Sequence, residues 1–389
     1  MGDAVRLGII GLGNMGTAHA RSVGAGDVGG LRLTAVCDSN PRRVASAAGD
    51  SGIAGFNDVA ALLASDLVDA VLVATPHYSH TPIGIAALDA GLHVLMEKPI
   101  SVHKADCEAL IAAHQAPAQV FAAMFNQRTD PRFRLIRDLV VGGDLGPVQR
   151  ISWVITDWFR PDVYYRSGGW RATWAGEGGG VLLNQSPHQL DLLTWTFGMP
   201  SSVQAFCRFG RYHDIEVEDD VTAHLEYPDG ATGIFVTSTG ESPGTNRLEV
   251  IGDSGMAVVD GDTVTITRNR QSAREYSRTA TDPFGAPETD VEWHVVDDTG
   301  AQHLGILENF VAAIQHGEPL IAAAAEGIHS VELANAMLMS AFEDRRVELP
   351  LDAAAYAARL QERIDGSTRV ADAPPSDEGP ADLSGSFSR

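Results

Sequence analysis

Cysteine is scarce in this chain of 389 residues, which holds only Cys37, Cys107 and Cys207. Far apart and odd in number, they exclude a disulfide framework and any Cys-x-x-Cys metal site, and they fit a reducing compartment. Basic residues are also few: 28 Lys and Arg stand against 51 Asp and Glu, for a formal charge of −23. A surface that acidic repels phosphate backbones and anionic lipid heads, so neither nucleic acid nor a membrane is an expected partner. Long apolar runs are missing, since Gly, Pro or charge interrupts each one short of the roughly 18 residues a bilayer span needs. The first residues offer no basic start followed by a cleavage site, which makes the cytoplasm the expected location. The histidines, His77 with His80 among them, have no companions at metal-ligand spacing, and no metal is expected.

What is present is ample core material, with 44% hydrophobic and 20% charged residues. At roughly 100–200 residues per domain, the length implies two domains. From residue 5 to about 120, β-branched runs alternate with Ala-rich stretches. Strands are expected over 5–10, 31–37, 70–74, 92–96 and 119–122, with helices over 15–24, 41–48, 58–64, 81–90 and 104–114. Such alternation implies an α/β doubly wound parallel sheet, because each right-handed crossover returns across one face. Beyond 125 the texture changes. Helices over 131–141 and 187–197 accompany alternating runs over 148–157, 203–209, 221–227, 232–238, 246–251, 256–260 and 263–267, with turn signals at Asp229-Gly230 and Gly261-Asp262. These imply an α+β unit with a large, mostly antiparallel open sheet. A loop rich in Pro, Asp and Thr then leads to helices over 304–316 and 326–342. The expected division is 1–125, 126–365 and a disordered tail, 366–389.

The first strand runs into Gly11-Leu12-Gly13-Asn14-Met15-Gly16 and then a helix, the context that gives a GxGxxG its meaning. Gly11 permits the tight turn, Gly13 lets backbone approach a pyrophosphate, and Gly16 lets helix and strand pack, while the helix N-terminus supplies positive charge. The second strand ends at Asp38, placed to accept hydrogen bonds from adenosine ribose hydroxyls. This is a Rossmann dinucleotide fingerprint. The Asp38 charge favours NAD over NADP, although Arg42 and Arg43 stand close enough to hold a 2′-phosphate.

Three segments carry a more specific likeness: Ala74-Thr75-Pro76-His77-Tyr78-Ser79-His80, Met96-Glu97-Lys98-Pro99, and the run Gly178-Gly179-Gly180 through Asn184-Gln185-Ser186-Pro187-His188-Gln189-Leu190-Asp191. Together they resemble the Gfo/Idh/MocA family of sugar and inositol oxidoreductases. The first two follow predicted strands, whose carboxyl ends are where an open parallel sheet binds ligands. The resemblance implies that Lys98 is the catalytic lysine and His188 the histidine at the substrate hydroxyl. It also implies cofactor contacts from Gly11, Gly13, Asn14, Met15, Asp38, Thr75, Pro76, His80, Glu97, Lys98 and Asn126. Where the family usually carries aspartate four residues before the histidine, this chain has Asn184. Asp191, one turn beyond His188, either restores a carboxylate partner or pairs elsewhere. Ser186 and Pro187 read as N-cap and first helical residue, so the helix dipole disfavours a charged imidazole at His188.

On the substrate side, Asn126 and Arg128 follow the last strand of the first unit. Trp153, Trp158, Phe159, Tyr164, Tyr165, Trp170 and Trp174 lie among Arg160, Arg166 and Arg171, a concentration suited to a sugar, whose C–H faces stack on aromatics and whose hydroxyls or acidic group bind Arg. Tyr164, Tyr165, Trp174 and Asn184 join Lys98, Asn126 and His188 as substrate candidates. The leading expectation is an NAD-dependent oxidoreductase acting on a ring hydroxyl of a pyranose, pyranoside or cyclitol. The alternative is an NAD-dependent glycoside hydrolase that oxidises C3 transiently, eliminates the aglycone, adds water and restores the ring, with Tyr165, Asp157 or His188 as the extra base. A sensor without turnover is a third. Self-association through the open sheet, as a dimer or tetramer, is expected.

Overall fold

A computed structural model describes residues 4–49, 52–166 and 169–367. Strands β1 (Val5–Ile10), β2 (Leu31–Cys37), β3 (Ala54–Phe56), β4 (Ala70–Val73), β5 (His93–Met96) and β6 (Phe121–Ala123) form one sheet in the order β3-β2-β1-β4-β5-β6. All its pairings are parallel. The order reverses between β1 and β4, which opens a crevice at the carboxyl ends of those strands. Central strands read as near-continuous apolar runs because helices cover both faces; Ile9, Leu72 and Leu95 are fully buried. The three-residue β3 was not expected, being too short to show a period.

The second sheet contains β7 (Val148–Ile155), β8 (Ser202–Phe209), β9 (Glu218–Glu226), β10 (Thr232–Ser238), β11 (Asn246–Gly252), β12 (Gly255–Asp260), β13 (Thr263–Asn269), β14 (Thr289–Val295) and β15 (Val347–Glu348). Their order is β14-β13-β12-β11-β7-β10-β9-β8-β15. The sheet is mixed: β7 and β10 pair in parallel and the other pairings are antiparallel. One face buries Trp153, Phe235 and Leu248 under the helices Pro187–Phe197 and Gly327–Glu343. The opposite face leaves Phe206 and Ile234 exposed.

Two stretches depart from expectation. The segment read as a loop before residue 304 contains a helix, Ala273–Thr279, and the edge strand β14. Every residue of β14 is exposed, so no apolar alternation marks it; pairing with β13 holds it, aided by Arg268–Glu292 and Arg270–Asp290 ion pairs. The helix Gln302–His316, assigned by sequence to the second unit, buries Ile306, Leu307 and Phe310 in the core of the first. A final helix, Ala353–Asp365, closes the described chain, and the tail expected from 366 lies outside the described residues after Ser367.

Arg128 ties the two units together. Its Nε and Nη2 donate to Asp191 Oδ2 and Oδ1 at 2.8 and 2.6 Å, and Nη1 donates to the Ile321 carbonyl at 3.1 Å and to Glu326. Phe125 and Trp195 flank the guanidinium. Arg128 and Asp191 side chains are 2% and 1% exposed, so losing one partner strands a buried charge. Asp191→Ala should cost about 3 kcal/mol and lower the midpoint of thermal unfolding. An unchanged midpoint would mean that Glu326 alone satisfies Arg128.

Candidate active site

The glycine loop begins where β1 ends. Gly11 adopts φ 93°, and a Cβ there would lie 2.6 Å from the Ala74 carbonyl oxygen. A Cβ on Gly16 would lie 1.8 Å from the Gly11 carbonyl oxygen, so both glycines are imposed by the protein's own packing. Gly13 differs: nothing lies within 4 Å of its would-be Cβ. The helix Asn14–Ala25 has no side-chain cap, which leaves N–H groups at Asn14 and Met15 for an anionic ligand. Asp38 ends β2 and accepts from Leu12 N at 2.7 Å and Asn40 N at 2.8 Å, holding the loop with lone pairs to spare. Arg43 stands 3.7 Å from Asp38, engaged with the carboxylate.

The turns after β4 and β5 complete the crevice. Thr75 Oγ1 is buried without a partner, and Pro76 caps a short 3-10 turn. His80 places its two ring nitrogens 2.8 Å from the Thr75 and Pro99 carbonyls, so it braces these turns rather than meeting a ligand. Asn126 donates to Gln302 Oε1 at 2.6 Å and leaves Oδ1 buried and unpartnered. Unsatisfied buried acceptors are costly, and Thr75 and Asn126 present theirs where a dinucleotide would lie. Space at Gly13, uncapped N–H groups, the Asp38 carboxylate and these orphaned oxygens together fit NAD.

Beside this crevice, Lys98 follows β5 across a cis Lys98–Pro99 peptide and donates from Nζ to the Asn184 carbonyl at 2.9 Å. Burial lowers its proton affinity, Glu97 raises it, and Arg171 and Arg160 lower it further. Burial would push Glu97 up, but His19, 2.7 Å away, with His303 and Lys98, holds it well below the usual carboxylate range. His188 sits in the first turn of the helix Pro187–Phe197. Burial, with Lys98 and His303 nearby, keeps it neutral, and its Nδ1 is buried without a partner. Ser186 precedes that helix as expected, yet its hydroxyl bonds Thr237 at 2.8 Å instead of capping. Asp191 serves Arg128, not His188.

Asn184 sits among donors. Its Oδ1 accepts from Tyr164 at 3.1 Å and Gln185 at 3.2 Å, while its Nδ2 donates to Glu177. Tyr165 packs edge-on against Tyr164 but directs its hydroxyl to Thr239 at 2.7 Å, beside His213. Trp174 is not brought into the group. It is 4% exposed and packs on Phe209 and Phe342, next to a surface cavity of about 450 Å³ lined by Arg359 and Arg363. Sequence reasoning did not single out Glu177, His19 or His303, which carry no motif letters and reach Asn184 and Glu97 only through the fold. No group of His, Cys, Asp and Glu suited to a metal occurs among the described residues.

A glycine loop, an acidic end to β2 and a Lys–His pair at the crevice define an NAD-binding oxidoreductase. Residues 5–124 match the oxidoreductase family with NAD-binding Rossmann fold, and 133–258 match the GFO/IDH/MocA C-terminal domain. The chain belongs to the Gfo/Idh/MocA family. It is 25% identical to the myo-inositol 2-dehydrogenase of Thermotoga maritima over 354 residues, covering 89% of this chain and 98% of that protein. The inositol 2-dehydrogenase of Rhizobium meliloti is 27% identical over 354 residues, with 89% and 99% covered. Among solved structures, the WlbA dehydrogenase from Bordetella pertussis, in complex with NADH and UDP-GlcNAcA, matches with TM-score 0.75 at 25% identity, covering 90% of this chain and 100% of that one.

The glycine geometry makes a paired prediction. Gly13→Ala should leave the unfolding midpoint unchanged while NADH affinity, read by fluorescence titration, falls at least about tenfold. Gly16→Ala should instead destabilise the fold. Equal loss of stability in both would remove the case that the space at Gly13 serves the cofactor.

Proposed function

We propose that this oxidoreductase acts on a ring hydroxyl of a pyranose, pyranoside or cyclitol, in either direction, with His188 as base and Lys98 as its electrostatic partner. The observation that carries the reading is the orphaned Nδ1 of a neutral His188, buried in the same electrostatic cluster as Lys98. NAD, when bound, supplies the hydride acceptor for the alcohol carbon. His188 Nδ1 takes the hydroxyl proton, and the Lys98 ammonium stabilises the negative charge that develops on oxygen. Asn184, its oxygen side set by Glu177, orients a neighbouring hydroxyl but cannot take its proton. Asn126 offers Oδ1 between the two sites, and Tyr164 borders the substrate side. The inositol dehydrogenases among its relatives support a cyclitol or a sugar of similar ring size.

Self-association belongs to the same reading. Phe206, Ile234 and Trp293 are 56%, 43% and 68% exposed on the open side of the second sheet, where a second copy covers them. Light scattering should give a dimer or tetramer; a monomer overturns this. A cytoplasmic location fits three buried free thiols. No helix among the described residues is long and apolar enough to cross a membrane.

The test offers purified protein NAD and a panel of sugars, cyclitols and aryl pyranosides, following nicotinamide absorbance and released aglycone together. NADH formed with substrate consumed, and no aglycone, supports a net dehydrogenase. Aglycone release far exceeding the NAD supplied, without NADH, replaces it with the redox-neutral glycosidase. Lys98→Ala should lower turnover at least about 10³-fold while NADH binding stays nearly intact. Parallel loss of both would make Lys98 a cofactor-holding residue.

A further inference from the structure

The wall of the site that faces Lys98 is rich in donors and poor in acceptors. Arg171 stacks on Tyr164 and Trp170, with its guanidinium carbon 4.6 Å from each ring centre, and Nη1 donates to the Tyr164 hydroxyl at 2.8 Å. The Arg160 guanidinium carbon lies 5.2 Å from the Tyr164 ring centre and 5.4 Å from that of Trp158, and among the described residues the guanidinium donates to the Phe159 carbonyl alone. Each guanidinium carries five N–H donors, so most remain unused. Neither arginine has a carboxylate within ion-pair distance among the described residues, in a chain whose net charge is −23. Trp158 adds an indole N–H that is buried without a partner.

Glu177 is a carboxylate close by, and it is engaged with other groups. Its Oε2 accepts from Ala172 N at 2.7 Å and its Oε1 accepts from the Asn184 amide. Burial also raises its proton affinity against the pull of Arg171 and Lys98. Tyr164 links the arginines to the reacting groups: its hydroxyl bonds both Arg171 and Asn184, and Asn184 holds Lys98 through its carbonyl. Both arginines also act electrostatically on Lys98.

Resting on the proposed sugar-oxidising reading, we infer that the substrate carries an acidic group, a carboxylate or a sulfonate, received by Arg171 and Arg160 while its ring hydroxyl meets Lys98 and His188. A planar guanidinium forks onto such oxyanions, and stacking on Tyr164, Trp170 and Trp158 fixes its plane before binding. The neutral hydroxymethyl group of an ordinary hexose has too few acceptor sites for these donors, carries no charge to set against theirs, and leaves them to water.

The experiment compares 4-nitrophenyl glucosides with the matching glucuronides and 6-sulfonates, both anomers, on wild-type protein, Arg160→Gln and Arg171→Gln. Expected is a kcat/KM at least about 30-fold higher for one acidic series, an advantage over the neutral glucosides that either variant loses through KM. The acidic series preferred separates carboxylate from sulfonate. Equal or better use of neutral glucosides overturns the inference and leaves the sugar-oxidising reading standing. If no sugar is turned over, that reading fails, and titration of the NADH-loaded protein still decides: tighter glucuronide or sulfonate than glucoside binding, weakened in both variants, upholds the anion site, and its absence overturns it. Both arginines are partly exposed, and Arg160, whose side chain does not hold Tyr164 by a hydrogen bond, keeps the test valid if Arg171→Gln misfolds.

Discussion

Desolvation of Lys98 is the constraint on which the rest of the site depends. An ammonium withdrawn from water at the end of β5 survives only with compensation nearby, and Glu97 provides it from the adjacent position. Glu97 in turn stays ionised because His19 hydrogen-bonds it from the helix after the glycine loop. The glycine loop and Lys98 are thus coupled through a buried carboxylate: the helix that follows the loop also holds the charge that Lys98 needs. His188 is kept neutral first by its burial and then by the nearby Lys98 and His303.

That coupling works only if the two units keep a fixed relation, and the Arg128–Asp191–Glu326 cluster sets it. Arg128 lies in the short 3-10 turn after β6, Asp191 stands one turn beyond His188, and Glu326 precedes the helix Gly327–Glu343. The helix that carries His188 is therefore pinned to the first unit three residues from His188 itself. The helix Gln302–His316 strengthens the relation by burying its apolar face in the first core while its Gln302 holds Asn126. A residue read as a possible partner for the base proves to be the tie that positions it.

Much of this was legible because the informative residues are local in sequence. Gly11, Gly13, Gly16 and Asp38 take their meaning from a strand, a turn and a helix in succession, and Lys98 and His188 from runs of a few letters. The parallel sheet followed from alternation alone. What escaped depends on contacts distant in the chain. His303 belongs to a helix that crosses to the other unit, Trp174 turns into the core although its neighbours face the site, and β14 has no buried side to imprint a period. Ser186 has the letter of an N-cap, but Thr237 claims its hydroxyl.

The departure at Asn184 shows how a site keeps its electrostatics when a charge is moved. An asparagine there cannot supply the carboxylate expected by family likeness, yet a buried carboxylate lies one hydrogen bond behind it at Glu177. Because Glu177 accepts from the amide nitrogen, the amide oxygen is committed to Tyr164 and Gln185, and Asn184 presents an acceptor toward the aromatic wall. That carboxyl group is set back by one residue and buried, and its other oxygen accepts from the Ala172 N–H. A carboxylate directly against the substrate would repel an anion, whereas an amide in front of Glu177 does not. The substitution and the free arginines are therefore consistent parts of one arrangement, in which the acid is held back from the cavity and the bases are left to face it.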